Sequence, residues 1–231
     1  MVALFVLLTI ITLLTVDYFV QRAELARAGA RAGSPAIRSV APRPVPVDQV
    51  PRGVFLDRGH TWVQVEPSGA LRLGADLFPA ALLGKPDRIE IAPAGTQLRA
   101  GDPVAVLHLG SRSVTLRAPM DGVVARVNED VARDPARIRN DPFGSGWLVG
   151  LDPGRSALAP ALKRMLVAED AVAWVRRELG RVRDLLAGPP APGALVPVTL
   201  QDGGLPLEGF GLGLDDESFE HVVRALFAES R

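Results

Sequence analysis

Residues 104–122 decide the fold, and their sequence is VAVLHLGSRSVTLRAPMDG. Residues 104–109 and 114–116 are rich in β-branched and apolar side chains, whereas the residues between them are small or polar. This pattern predicts two antiparallel strands joined by a tight turn, that is, a β-hairpin. Ser111 lies in the turn, so we expect its side chain at the tip of the hairpin.

Short extended stretches flank the hairpin on both sides. The sequence predicts strands before Gly74, over residues 87–92 and around Trp147, with turns at Gly95 and Gly101. Short strands separated by Gly, Pro and Asp turns favour a small β-sandwich or flattened barrel over an α/β nucleotide-binding fold.

The order of these features resembles the H protein of the glycine cleavage system, a member of the lipoyl/biotinyl-carrier superfamily. The resemblance spans residues 57–185 and rests on short motifs: His60-Thr61-Trp62, Gly74-Ala75-Asp76, Leu83-Gly84, Ala100-Gly101-Asp102, Ala118-Pro119-Met120-Asp121-Gly122, Val127-Asn128-Glu129, Asn140-Asp141-Pro142-Phe143 and Gly146-Trp147-Leu148. It implies a mainly β fold, a lipoyl/H-protein-like β-sandwich followed by C-terminal helices.

In that family a Glu-Ser-Val-Lys-Ala hairpin presents the lysine that receives lipoate. The resemblance places on these positions the residues His108, Leu109, Gly110, Ser111 and Arg112. A lipoyl amide requires a primary amine, which Ser111 lacks. The guanidinium of Arg112 stays protonated and is not an acylation nucleophile. The resemblance therefore implies that lipoyl attachment at the hairpin is lost.

The chain contains two lysines, Lys85 in a predicted turn and Lys163 in a predicted C-terminal helix. Because neither is expected at the hairpin tip, we predict a non-lipoylated protein without a cofactor. A carrier that is modified at an atypical site is the alternative.

Composition narrows the functional classes further. The formal net charge is zero, which gives no electrostatic case for binding nucleic acid. The absence of cysteine excludes disulfides, thiolate metal sites and cysteine nucleophiles. His60, His108 and His221 match no metal-ligand spacing, and Ser111 and Ser113 have no fixed His/Asp pair in the sequence. We therefore predict neither a catalytic site nor a metal site, and we expect no enzymatic activity.

The N-terminus predicts membrane attachment. Residues 2–20 are almost continuously apolar and carry one charge, Asp17. An apolar helix of about 20 residues spans the ~30 Å hydrocarbon core of a bilayer. A cleaved signal peptide is the alternative, but no Lys or Arg precedes the apolar run, so an uncleaved transmembrane helix is the preferred interpretation.

The distribution of arginine predicts the orientation. Five arginines follow the apolar run and none precedes it: Arg22, Arg27, Arg31, Arg38 and Arg43. By the positive-inside rule the main domain is then cytoplasmic and the N-terminus periplasmic, in a bacterial inner membrane. Asp17 lies about one turn from the helix end, where it either pairs with a neighbouring subunit or reaches the headgroups.

Four regions follow from these patterns. Residues 1–31 form the transmembrane helix with a cytoplasmic extension, and residues 32–56 form a Pro-rich linker. Residues 57–187 form the H-protein-like domain, whose predicted helices cover residues 161–167 and 170–186. Residues 188–231 form a C-terminal extension with a predicted strand at residues 195–200 and a last helix over residues 215–228.

The expected function is that of a membrane-anchored accessory subunit. Its cytoplasmic domain would dock on integral membrane subunits of a bacterial electron-transfer complex, a photosynthetic reaction centre or a respiratory complex, by architectural analogy alone. The lipid bilayer is the other expected partner, and the candidate protein contacts are Asp17, His108, Ser111 and Arg112. A membrane-tethered adaptor that reversibly binds a soluble enzyme is the alternative from a different class.

Overall fold

The computed structural model describes residues 50–154, 158–186 and 209–227, which contain two antiparallel β-sheets and six α-helices. The strands are β1 Val54–Leu56, β2 Thr61–Val65, β3 Leu71–Ala75, β4 Arg88–Ile91, β5 Gln97–Leu98, β6 Pro103–Leu109, β7 Arg112–Arg117, β8 Gly122–Val127, β9 Trp147–Asp152 and β10 Leu166–Val167. The helices are α1 Leu77–Leu83, α2 Glu129–Arg133, α3 Ala136–Asn140, α4 Leu158–Arg164, α5 Ala168–Leu186 and α6 Asp216–Phe227, with a 3-10 helix at Phe210–Gly213.

The larger sheet has seven strands in the order β10-β1-β2-β3-β9-β8-β5. The smaller sheet has the order β4-β6-β7, so the predicted hairpin forms two of its three strands. Apolar side chains from both sheets and from the helices join in one buried cluster. This architecture confirms the predicted β-rich fold with C-terminal helices.

Trp62 is on β2, an interior strand of the larger sheet, and is fully buried. Its indole Nε1–H donates to the carbonyl oxygens of Ala75 at 2.8 Å and Pro142 at 3.2 Å. Opposite it on β3 is Gly74, where a Cβ atom would stand 2.4 Å from the indole ring. A glycine at this position is therefore required for the tryptophan to pack.

Helix α1 was not expected from the sequence. Its seven residues are all buried, and its N-cap Asp76 accepts a hydrogen bond from the amide of Phe78 at 2.9 Å. A helix without a polar face has no amphipathic period, so the pattern that predicts helices elsewhere is absent here.

Three further boundaries differ from the expectation. The helix predicted over residues 161–167 is α4, which ends at Arg164, because residues 166 and 167 pair with β1 as strand β10. Helix α5 begins at Ala168 instead of Asp170. Strand β1 lies within the range that the sequence assigns to the Pro-rich linker.

In the described part of the chain, no helix is long and apolar enough to cross a membrane. The apolar run of residues 2–20, the candidate contact Asp17 and the predicted strand over residues 195–200 lie outside the described residues.

Candidate functional site

Strands β6 and β7 are joined by a two-residue turn, and Ser111 lies at its exposed tip. Leu109 and Arg112 are the last paired residues, which leaves Gly110 and Ser111 in the turn. Gly110 has φ +58°, a left-handed conformation that suits glycine at the first central position of a type II′ turn. Its amide donates to a carboxylate oxygen of Asp87 at 2.9 Å, which ties the tip to the residue before β4.

The side chain of Arg112 connects the hairpin to the C-terminal segment. Its guanidinium donates to the carbonyl oxygens of Gly211 and Leu214 and to a carboxylate oxygen of Asp216, the last at 3.1 Å. It also lies over the ring of Phe219, 4.8 Å from the centroid. Four contacts with one planar cation make Arg112 a clamp, which a lysine ammonium does not reproduce. Whether Arg112 also contacts a partner is still a prediction.

The C-terminal segment, residues 209–227, packs on the domain. The amide of Gly209 donates to the carbonyl oxygen of Ala81 in α1 at 2.7 Å. Helix α6 buries four apolar side chains, namely Phe219, Val222, Leu226 and Phe227. Asp215 caps α6 by accepting from the amide of Ser218 at 2.8 Å, and this bond lowers the pKa of the Asp215 carboxyl.

A groove of 370 Å³ lies between the hairpin tip and α6. It is lined by Ser111, Arg112, Ser113, Asp216, Phe219, Glu220, Val223 and Arg224. Hydroxyl groups line the strand side, whereas the helix side contributes an apolar floor with charges of both signs. This groove includes two of the residues predicted to contact a partner.

His108 lies on the outer face of the smaller sheet, opposite Arg88 of β4. Its side chain is 19 % exposed, and its Nε2 atom is 3.4 Å from a carboxylate oxygen of Glu90, without the alignment of a hydrogen bond. His108 is on β6 before the turn that holds Ser111, and it does not line the groove that Ser111 and Arg112 share.

The two lysines are exposed, and neither lies in the turn between β6 and β7. Lys85 follows α1, and Lys163 is in the last turn of α4. Within the described ranges, no group of three or more His, Asp and Glu side chains is placed to hold a metal ion.

His60 has a packing role in the core. It is fully buried, its Nδ1 atom is 2.9 Å from a carboxylate oxygen of Asp76, and its ring lies among Phe78, Trp174 and Phe227 at centroid distances of 4.6, 5.2 and 4.8 Å. Burial of the nearby Asp57 carboxyl raises its pKa. Sequence reasoning missed the buried His60–Asp76 pair because the two residues are on different elements.

Two packed β-sheets, the smaller of which presents a tight two-residue hairpin, form a β-sandwich. The sequence profile described as "Glycine cleavage H-protein" matches residues 55–178, so this chain belongs to the glycine cleavage H-protein family.

Several relatives in this family align with the same region. The glycine cleavage system H protein of Halorhodospira halophila is 30 % identical over 127 residues, which cover 55 % of this chain and 98 % of that protein. H protein 1 of Caldanaerobacter subterraneus subsp. tengcongensis is 35 % identical over 98 residues, covering 42 % of this chain and 77 % of that protein. The crystal structure of the Mycobacterium marinum H protein superimposes with a TM-score of 0.46 at 24 % identity, over 54 % of this chain and 98 % of that one.

Proposed function

We propose that this protein is a non-catalytic, non-lipoylated accessory subunit that uses its H-protein-like domain to dock on other proteins. One observation carries this proposal: the hairpin tip holds Gly110 and Ser111, and neither has an amine that lipoate acylates. The family-type domain is retained, whereas the residue that carrier chemistry requires is absent at the tip.

The rigidity of the hairpin supports docking. Asp87 holds the tip from one side, and Arg112 holds it to the C-terminal segment on the other. Binding surfaces on rigid elements lose less conformational entropy on association than flexible ones do. The retained hairpin is therefore suited to contact a partner surface.

Membrane anchoring is the second part of the proposal. It is supported by the apolar run of residues 2–20 and by the five arginines that follow it. We propose that the anchor places the domain on the cytoplasmic face of a bacterial inner-membrane electron-transfer complex, photosynthetic or respiratory. The choice of host complex rests on architectural analogy.

Purification of the tagged native protein in mild detergent tests this function. We expect integral membrane subunits in stoichiometric amounts by mass spectrometry, and haem or pigment absorption in the same fraction. A lone chain would contradict docking, and a substoichiometric soluble enzyme would favour the tethered-adaptor function instead.

A further inference from the structure

The outer edge of β7 lies beside the groove and offers hydrogen-bonding groups to another strand. Among the strands that the structure describes, β7 is the last of the smaller sheet and pairs with β6 alone. In the tight turn the amide of Arg112 is directed at the carbonyl of Leu109. Along an antiparallel pair, residues whose N–H and C=O groups bond to the partner strand alternate with residues whose groups point away from it. The backbone groups of Ser113 and Thr115 therefore point away from β6.

These outward groups are available within the described structure. Among residues 50–154, 158–186 and 209–227, no backbone group outside the β6–β7 pair hydrogen-bonds to Ser113 or Thr115. Ser113 is exposed and Thr115 is partly exposed. An unpaired row of amides and carbonyls is a template for strand addition.

Helix α6 runs alongside this edge from the tip of the hairpin toward its base. At the tip, Arg112 contacts Phe219. At the other end of the helix, the ring of Phe227 lies 4.8 Å from His60, and the next residue, Thr61, donates its hydroxyl to the carbonyl of Arg117 at 3.3 Å. The helix and β7 therefore run in the same direction, with the groove between their tip-proximal halves.

An edge strand and a helix with a groove between them form the arrangement in which extended peptides bind by β-strand addition. Main-chain hydrogen bonds to the edge supply affinity, and the groove selects alternate side chains of the added strand. The 370 Å³ groove is at the lower end of the range for binding sites, ~300–1,000 Å³.

We propose that this groove binds an extended segment of a partner subunit, which adds to the edge of β7 as an antiparallel fourth strand. The proposal rests on the docking function proposed above and assigns it a site. A backbone with both N–H and C=O groups is the ligand that satisfies Ser113 and Thr115 together.

The side chains of α6 specify the chemistry of the segment. Glu220 lines the tip-proximal end of the groove and attracts a cationic side chain of the segment. Arg224, one turn further along the helix, attracts an anionic one. Val223 between them requires an apolar side chain. An antiparallel segment therefore presents, from its N-terminus, an anionic, an apolar and a cationic residue.

Hydrogen exchange of the purified protein tests this site directly. Amide exchange of the tagged chain is measured in two states. In the first, mild detergent keeps the co-purifying subunits bound; in the second, a harsher detergent has removed them. We expect the amides of Ser113 and Thr115 to exchange at least about tenfold more slowly in the complex, because strand pairing protects them. The amides of Arg112 and Val114, already paired with β6, serve as internal references.

Ser113→Pro removes an outward amide without breaking the pairing with β6, since proline is tolerated on edge strands. Ser113→Ala keeps the amide and loses the same hydroxyl, so comparison of the two variants isolates the effect of the amide. We expect the proline variant to retain at least about tenfold less of the co-purifying subunits than the alanine variant. Thermal unfolding checks that both variants fold. If the proline variant unfolds, Glu220→Lys at an exposed position replaces it, and undiminished recovery would contradict the proposal.

The outcomes separate this proposal from the docking function. If subunits co-purify but the edge amides exchange equally fast with and without them, docking stands and the strand-addition site is wrong. If the edge amides are already protected in the stripped chain, the chain itself occupies the edge, which also contradicts the proposal. A chain that purifies alone contradicts both.

Discussion

At the residue scale, Ser111 defines the chemistry of the hairpin tip. If it occupies the position of the family's acceptor lysine, Ser111→Lys should restore an acceptor on the same turn. We expect a lipoate–protein ligase, supplied with lipoate and ATP, to add a lipoyl group to this variant, as measured by intact mass. Ser113→Lys, on the adjacent strand, is the control and should stay unmodified. An unmodified Ser111→Lys variant would show that the tip is not the equivalent position.

Glu66 provides a test of surface electrostatics. It accepts from Arg72 at 3.0 Å and Arg126 at 2.6 Å, and the bond from Arg72 is the main reason that its pKa lies below the ordinary value of 4.5. A lowered folded-state pKa contributes stability above the unfolded value and loses it as pH falls through the folded value. We expect Glu66→Gln to cost less than about 1 kcal/mol at pH 7, because the ion pairs are partly exposed.

Denaturant unfolding of both proteins between pH 7 and pH 2 measures this effect, in the range where ordinary carboxylates titrate, from about 5 down to 2. The stability difference between wild type and Glu66→Gln should shrink as pH falls below 4.5. A difference that is constant across this range would mean that the carboxylate charge contributes nothing.

Gly74 tests the packing of the tryptophan. Gly74→Ala would bring a methyl group to 2.4 Å from the indole of Trp62, and overpacking of this kind costs about 1–3 kcal/mol. Gly180→Ala, in open space on α5, is the matched control and should stabilise the protein by up to about 1 kcal/mol. Thermal unfolding measures the stability of both variants. An equal change in stability at the two sites would contradict the close packing of Gly74 against Trp62.

At the element scale, the Arg112 clamp holds the C-terminal segment to the hairpin. Arg112→Lys keeps the charge but loses the planar fork and the stacking on Phe219, so we expect a loss of about 1–3 kcal/mol. Limited proteolysis should cut residues 209–227 faster in this variant. Arg88→Lys, at an exposed ion pair with Glu90, is the control and should leave the cleavage rate unchanged. Equal rates in all three proteins would show that α6 is held by its apolar face alone.

The elements show which sequence signals are informative. The strands on either side of Ser111 are predicted because alternation and turn residues agree. Helix α1 was missed because it is buried on every side. Strand β10 was missed because it is two residues long and pairs with β1, which is distant in the sequence. The groove was missed as well, because Arg112 and Asp216 are 104 residues apart and meet only through tertiary packing.

At the scale of the whole molecule, the buried core of the described residues begins at Val54. Removal of residues 1–20 therefore takes away none of that cluster. We expect this variant to be a folded protein that unfolds cooperatively without detergent, as measured by circular dichroism. Its aggregation would instead indicate a domain surface that requires a partner.

The family and the β-rich fold with C-terminal helices follow from local motifs, so both were predictable from the sequence. The identity of the proposed host complex was not predictable, because partner choice depends on surfaces that pair only in an assembly. The proposed site beside β7 narrows the choice of partner, since it requires an extended segment with a defined order of charges.

The intact mass of the native protein, purified from its own cells, tests the central claim most directly. A non-lipoylated subunit has the mass of its unmodified chain, and peptide mapping finds Ser111, Lys85 and Lys163 all without an acyl group. A lipoyl adduct on either lysine would contradict the account and establish a carrier that is modified at an atypical site.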